Sequence, residues 1–307
     1  MKIAIPDVIS NSYFPALAAV ELGFFKDEGL DMTFEQVVPV DKAMEAMRDG
    51  EIDFVAGSSH STLAAFPQWE GAKLLGALAQ GMYWFLIVRT DLNATKGDIN
   101  AVKGLRIGAA PMVEMGLRHM LAESGIDIKE DKVEIAPVPG GLVKGKGFGM
   151  MAAKALAENK IDAFWANGMG AEAAVRGGAG TILLDVRRGD GPAGAFNYTF
   201  PVMVGTDAMI EKDPESVAAA IRALVKTQKA LIADVSIATK VGEKLFSPEE
   251  AVMIADVVER DLPFYDASLS PEFVVGQNKF SQAMGILGDD VSYEQVVATQ
   301  FQDLWKR

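Results

Sequence analysis

Residues 43–54 read AMEAMRDGEIDF and residues 152–163 read AAKALAENKIDA. Laid over each other they share Ala43 with Ala152, Ala46 with Ala155, Ile52 with Ile161 and Asp53 with Asp162. The identity is modest, but the surroundings repeat as well. Upstream of the first copy, KIAIP (2–6) reads as a short buried strand ended by proline, 13–26 as a helix, and DMTFEQVV (31–38) as a second strand. A helix over 41–49 closes at Gly50, and IDFVAG (52–57) forms a third strand, with a further helix expected from about residue 61. The second copy runs in the same order: LRIGAAP (105–111) as strand, 113–123 as helix, KVEIAPV (132–138) as strand, and helix, turn and strand over 150–168. GLD at 29–31 is echoed by GID at 125–127.

Two such βαβαβ units predict an α/β chain with two lobes, each a parallel-type sheet flanked by helices, with right-handed crossovers. Residues 73–89 look like two strands split by Gln80-Gly81, and TFPVMVG (199–205) like a return strand. From residue 213 the pattern is helical, with an apolar stripe through 232 and helices near 248–260, 271–287 and 292–306. The expected organisation is therefore residues 1–87 plus 201–307 as lobe I, carrying the helical C-terminal tail, and 88–200 as lobe II. A separate all-helical third domain is the alternative for the tail.

In open parallel sheets ligands sit beyond the carboxyl ends of the strands, which places a site in the cleft between the lobes. The loops that face it carry the candidates. Asn11, Ser12, Tyr13 and Phe14 occupy the first strand-to-helix turn. Ser58, Ser59, His60 and Ser61 follow the third strand, and capping a helix explains only one of those hydroxyls. Tyr83 and Trp84 are consecutive in an expected strand, so one is assigned to the core and one to the cleft. Met112 and Glu114 open the second-lobe helix, where Glu114 suits the helix dipole and, if it faces the cleft, disfavours an anion. Trp165 and Asn167 hold in the second unit the places of Ala56 and Ser58 in the first. GKGFG (145–149) departs from both nucleotide-loop patterns and reads as a flexible connection, with Lys146 or Phe148 over the cleft.

Composition excludes several chemistries. Cysteine is absent, which removes disulfides, thiolate metal sites and Cys nucleophiles together. Two histidines are too few for a transition-metal site, HExxH and GxSxG are missing, and no cofactor is expected. A net charge of −13 argues against nucleic acid and anionic membranes.

The runs SYFPALAAVELGFFKDEGLDMTFEQV (12–37) and KAMEAMRDGEIDFVAGSS (42–59), with VKGLRIGAAP (102–111) and AAKALAENKIDAFWAN (152–167), resemble the NMT1/THI5-like substrate-binding proteins of nitrate/sulfonate/taurine-type ABC importers. The resemblance covers residues 1 to about 205. It implies a type II periplasmic-binding fold that closes on a ligand and delivers it to an ABC importer membrane permease; a monomer that catalyses nothing is expected. It also places contacts at Ser12, Tyr13, Ser58, Ser59, Tyr83, Trp84, Pro111, Met112, Trp165 and Asn167. Oxyanion-binding members often place small hydroxyl residues where this chain has Met112, Val113 and Glu114, which disfavours sulfonate or nitrate. Because the cleft loops carry Tyr13, Phe14, Tyr83, Trp84, Phe148 and Trp165 with few Arg or Lys, an aromatic or heteroaromatic ligand is expected. A periplasmic location follows from the resemblance. The start MKIAIPDVISNSYFP has no leader pattern, which also fits a cytoplasmic enzyme of the same fold acting on a vitamin or quinone precursor.

Overall fold

A computed structural model describes residues 1–306. The first sheet contains β1 (Lys2–Ile5), β2 (Thr33–Gln36), β3 (Phe54–Ser58) and β4 (Ala72–Ala77), joined by α1 (Phe14–Glu21), α2 (Phe24–Asp27) and α3 (Val40–Arg48). The second holds β5 (Phe85–Arg89), β6 (Arg106–Ala109), β7 (Glu134–Ala136), β8 (Ala163–Ala166) and β9 (Gly180–Asp185), with α4 (Val113–Glu123), α5 (Phe148–Ala157) and α6 (Gly168–Arg176). The chain then returns through β10 (Pro201–Thr206) and ends in α7 (Asp207–Lys212), α8 (Pro214–Ala233), α9 (Ser236–Leu245), α10 (Pro248–Asp261), α11 (Pro271–Ala283), α12 (Tyr293–Val296) and a 3-10 segment, Thr299–Lys306.

Strand orders are β2-β1-β3-β10-β4 and β7-β6-β8-β5-β9, so the two sheets are the same arrangement built twice. Each is mixed rather than parallel. β10 runs antiparallel to β3 and β4, and β5 runs antiparallel to β8 and β9. Both antiparallel strands are the ones next to a crossing. A chain that arrives from the cleft enters at the carboxyl end of the parallel strands and must run against them. Because β5 pairs within the second sheet, the chain leaves the first sheet after Ala77 and joins the second at Phe85, so the change of lobe comes before residue 87.

The repeated Ile-Asp has a physical reason. Asp53 accepts a hydrogen bond from the Lys2 backbone N–H at 2.7 Å, and Asp162 accepts one from Arg106 N–H at 3.0 Å. Each aspartate ties the start of the third strand of its unit to the start of the first, while the preceding isoleucine is buried in the core.

Three local expectations change. The helix over 13–26 is broken at Gly23, whose φ of +78° ends α1 and starts α2. The segment from Ser59 to Ala64 is a 3-10 turn, not an α-helix. Residues 292–306 are interrupted because Val297 leaves the helix to bridge Leu74 at the edge of β4. The tail is not a third domain: α8 packs on α1 and α2, and α10 reaches across to α6. There Arg176 pairs with Asp256 at 2.5 Å and Arg260 with Glu172 at 2.7 Å.

Candidate ligand-binding site

α5 and α6 lie so close that a Cβ on Gly170 would sit 2.5 Å from the Gly149 carbonyl oxygen. This contact brings both helix N-termini to the cleft, opposite the β1–α1 loop of the first sheet. A cavity of about 580 Å³, counting its open mouth, lies between them. Its first-lobe wall contains Asp7, Ser10, Ser12 and Tyr13, with Val38, Pro39 and Val40. Its second-lobe wall contains Pro111, Val113, Leu142, Phe148 and Asn167, and Tyr83 and Trp84 form the floor at the crossing.

Tyr83 and Trp84 were expected on opposite faces of a strand, yet both line the cavity. They precede β5, in irregular backbone where strict alternation does not apply. Their rings lie 4.6 Å apart at 47°. Gly81, with φ +79°, leads into this segment, and a Cβ there would meet the Phe196 ring at 2.3 Å. The Tyr13 and Tyr83 hydroxyls bond to each other at 2.9 Å. Burial pushes both phenols up, so they remain neutral hydrogen-bonding groups.

Asn167 serves three purposes. Its Oδ1 caps α6 by accepting from the N–H groups of Met169 and Gly170, and its Nδ2 donates to Asp7 Oδ2 across the cleft at 2.9 Å. It also lines the cavity. Asp7 is the residue that sequence reasoning missed. Burial pushes its carboxyl up to about 7, against the opposing effect of the Ile9 and Phe148 main-chain N–H groups and of Asn167. Its Oδ1 and the Ser12 hydroxyl are both buried without a hydrogen-bond partner. The available signal was an acid directly after the Pro6 that ends β1, a position at the carboxyl edge of the sheet.

The other candidates lie elsewhere. Phe14 and Trp165 are core side chains with no exposed area, and the Trp165 indole N–H donates to the Val113 carbonyl at 3.0 Å. Asn11 donates to Asp261 at 2.6 Å, behind the cavity wall. Glu114 is paired with Arg118 at 2.8 Å, one helical turn along α4, and is not in the lining. Met112 presents its carbonyl to His60 rather than its side chain to the cavity.

Ser58, Ser59 and His60 are fully buried outside the cavity lining, next to the contact between the two lobes. Ser58 bonds Ser61, while Ser59 bonds Gln277 of α11 and, at 2.9 Å, Thr199. Thr199 lies 3.0 Å from His60 Nδ1, and His60 Nε2 lies 3.0 Å from the Met112 carbonyl of the second lobe. Ser59 Oγ donates to Gln277 Oε1 and accepts from the Phe200 N–H, and with Nε2–H of His60 donating to the Met112 carbonyl, Nδ1 is left to accept from Thr199. Burial holds His60 down to about 4, so the imidazole is neutral, as these bonds require. Ser59→Ala therefore lowers stability by about 1–3 kcal/mol in chemical denaturation, with ligand affinity changed less than twofold. A loss of affinity without a loss of stability would return Ser59 to the ligand site.

The family model described as NMT1/THI5 like matches residues 10–235. The chain belongs to the NMT1/THI5-like family. No curated protein matches it significantly. Among solved structures it is similar to the periplasmic aliphatic sulphonate binding protein SsuA from Escherichia coli, at 14% identity and TM-score 0.69, over 97% of this chain and 91% of that one. It is also similar to the periplasmic nitrate-binding protein NrtA from Synechocystis PCC 6803, at 13% identity and TM-score 0.72, over 99% and 86%. A third likeness is to the desulfurization enzyme DszB, at 14% identity and TM-score 0.67, over 98% and 97%. These likenesses share the two-lobed fold with this NMT1/THI5-like chain. They span both binding proteins and an enzyme, so the fold does not choose between the two.

Proposed function

We propose that this chain is the solute-binding component of an ABC importer, working as a monomer in the periplasm and passing a small ring-bearing ligand to a membrane permease. The observation that carries the reading is a cavity walled jointly by two sheets whose lobes are joined by crossing strands. Asn167 to Asp7, Gly145 N–H to Gln36 at 2.8 Å, and His60 to Met112 hold it shut. Such a site has to open to load and release, which suits capture and delivery. The lining is largely apolar and aromatic with a few polar anchors, the usual character of small-molecule pockets. Aromatic walls favour flat rings over a bare inorganic anion. Capture without turnover is supported by the absence of cysteine and by the placement of His60 outside the lining.

A thermal-shift screen with ring compounds, nitrate, bicarbonate and taurine tests this. Ring compounds raise the melting temperature by several degrees and are recovered chemically unchanged. Stabilisation by nitrate, bicarbonate or taurine with no response to any ring overturns the ligand class, and conversion of the ligand overturns the binding role.

A further inference from the structure

Resting on that reading of the cleft as a ligand site, we infer that the cavity is built for an organic cation, with Asp7 as counter-ion and Tyr13, Tyr83, Trp84 and Phe148 as aromatic walls.

Four observations converge on it. Asp7 is the acidic side chain in the lining; Asn167 takes its Oδ2, the Ile9 and Phe148 N–H groups lie beside the carboxyl, and its Oδ1, shielded from solvent, completes no hydrogen bond. A buried carboxyl oxygen left unpaired is costly, and a ligand N–H is the group that satisfies it. The Ser12 hydroxyl, also in the lining and also unpartnered, can accept a second N–H.

The amides that would hold an anion are already used. Asn167 Oδ1 occupies the N-terminus of α6, and the Asp7 carboxyl lies by Phe148 N–H at the start of α5. An anion would meet the Asp7 carboxyl instead of free N–H groups. The basic lining residue, Lys146, is exposed at the mouth.

Aromatic faces carry negative potential and attract a cation lying within about 6 Å of a ring. Four such rings line one cavity with a carboxyl, a combination that neither a sulfonate nor nitrate exploits. The net charge of −13 extends the same preference outward, drawing cations toward the cleft and repelling anions. Glu114 is paired with Arg118 outside the lining, so the carboxylate that would act on a ligand here is Asp7.

The test uses three probes of similar shape on the intact protein: benzylamine as cation, benzyl alcohol as neutral isostere, and phenylmethanesulfonate as anion. Calorimetry at pH 7.5 gives benzylamine an affinity at least about tenfold above benzyl alcohol, with phenylmethanesulfonate weakest. In Asp7→Asn and Asp7→Ser, each checked for cooperative unfolding, the amine-to-alcohol ratio falls to within about threefold. Equal or tighter binding of the alcohol or the sulfonate overturns the cation assignment and leaves the cleft as a ligand site. A ratio that persists in both variants overturns the role of Asp7. No binding by any of the three, together with no response to the ring compounds of the thermal screen, overturns the underlying reading of the cavity.

Discussion

Replacing Asp261 with alanine lowers the unfolding free energy by about 3–5 kcal/mol. Asp261 ends α10 and is 2% exposed. It accepts from Arg187 at 2.9 Å and Arg188 at 3.1 Å, both just after β9, and from Asn11 in the first-lobe loop. Removing the carboxylate takes away the ion-pair partner of the buried Arg187 guanidinium and leaves it the Gly81 carbonyl at 3.3 Å, the rings of Tyr83 and Phe264, and the more distant Asp185 carboxylate. An unpaired buried charge, not the lost attraction itself, supplies most of the effect. Urea denaturation reads it, with Lys226→Ala as reference. That lysine pairs with Asp27 at 2.6 Å but both are exposed, so its loss changes stability by less than about 1 kcal/mol. Equal effects of the two substitutions would show that the tail is not anchored through Asp261.

Asp7→Asn makes the ligand-free protein more closed at pH 8 than the wild type, and the two converge near pH 4. In the closed state burial raises the Asp7 carboxyl to about 7, whereas an open cleft returns it to water and its ordinary value near 3.8. Closing therefore takes up a proton. The stabilisation of the closed form by this group is full below about 4 and is lost as pH rises through 7. Each pH unit between shifts the wild-type equilibrium by up to about tenfold relative to asparagine, which stays neutral. The groups facing Asp7 are Asn167 from the second lobe, Tyr13 beside it, and Glu250 of α10, whose charge pushes in the same direction. His60 works in the opposite sense. Its value is depressed from 6.5 to about 4, so acid weakens the packing of its neutral ring across that window. Comparing wild type with Asp7→Asn removes the His60 contribution, which both share. A difference between them that does not vary with pH would show that Asp7 is not titrating on closure.

The doubled architecture was legible because a packing and capping need recurs in it. Ile52-Asp53 and Ile161-Asp162 serve the same strand start twice, and that survives in the sequence when most identity has gone. The return of the chain was visible too, since Gln80-Gly81 must turn and TFPVMVG is too apolar to be a loop. What stayed hidden depends on partners distant in sequence. Ser59 looks like a ligand group until Thr199 and Gln277 arrive beside it, 140 and 218 residues away. Asn11 likewise finds Asp261, 250 residues on. Asp7 was passed over because a single acid after a proline-ended strand reads as solvated loop, and only the second lobe, folding over it, takes its water away. Val297 leaves its helix for a bridge to β4 that helical periodicity alone cannot register.

The most direct measurement is the distance across the cleft. Because the chain has no cysteine, Lys42→Cys and Lys144→Cys, both exposed and one on each lobe, can carry a pair of spin labels without further changes. Pulsed dipolar spectroscopy is then recorded without ligand and with the ring compound that gives the largest thermal shift. A broad distribution with a longer-distance population is expected at pH 8 in the free protein, collapsing to a single shorter distance when ligand is present. The same distribution in both samples, with binding shown independently by calorimetry, would contradict capture by closure of the two lobes.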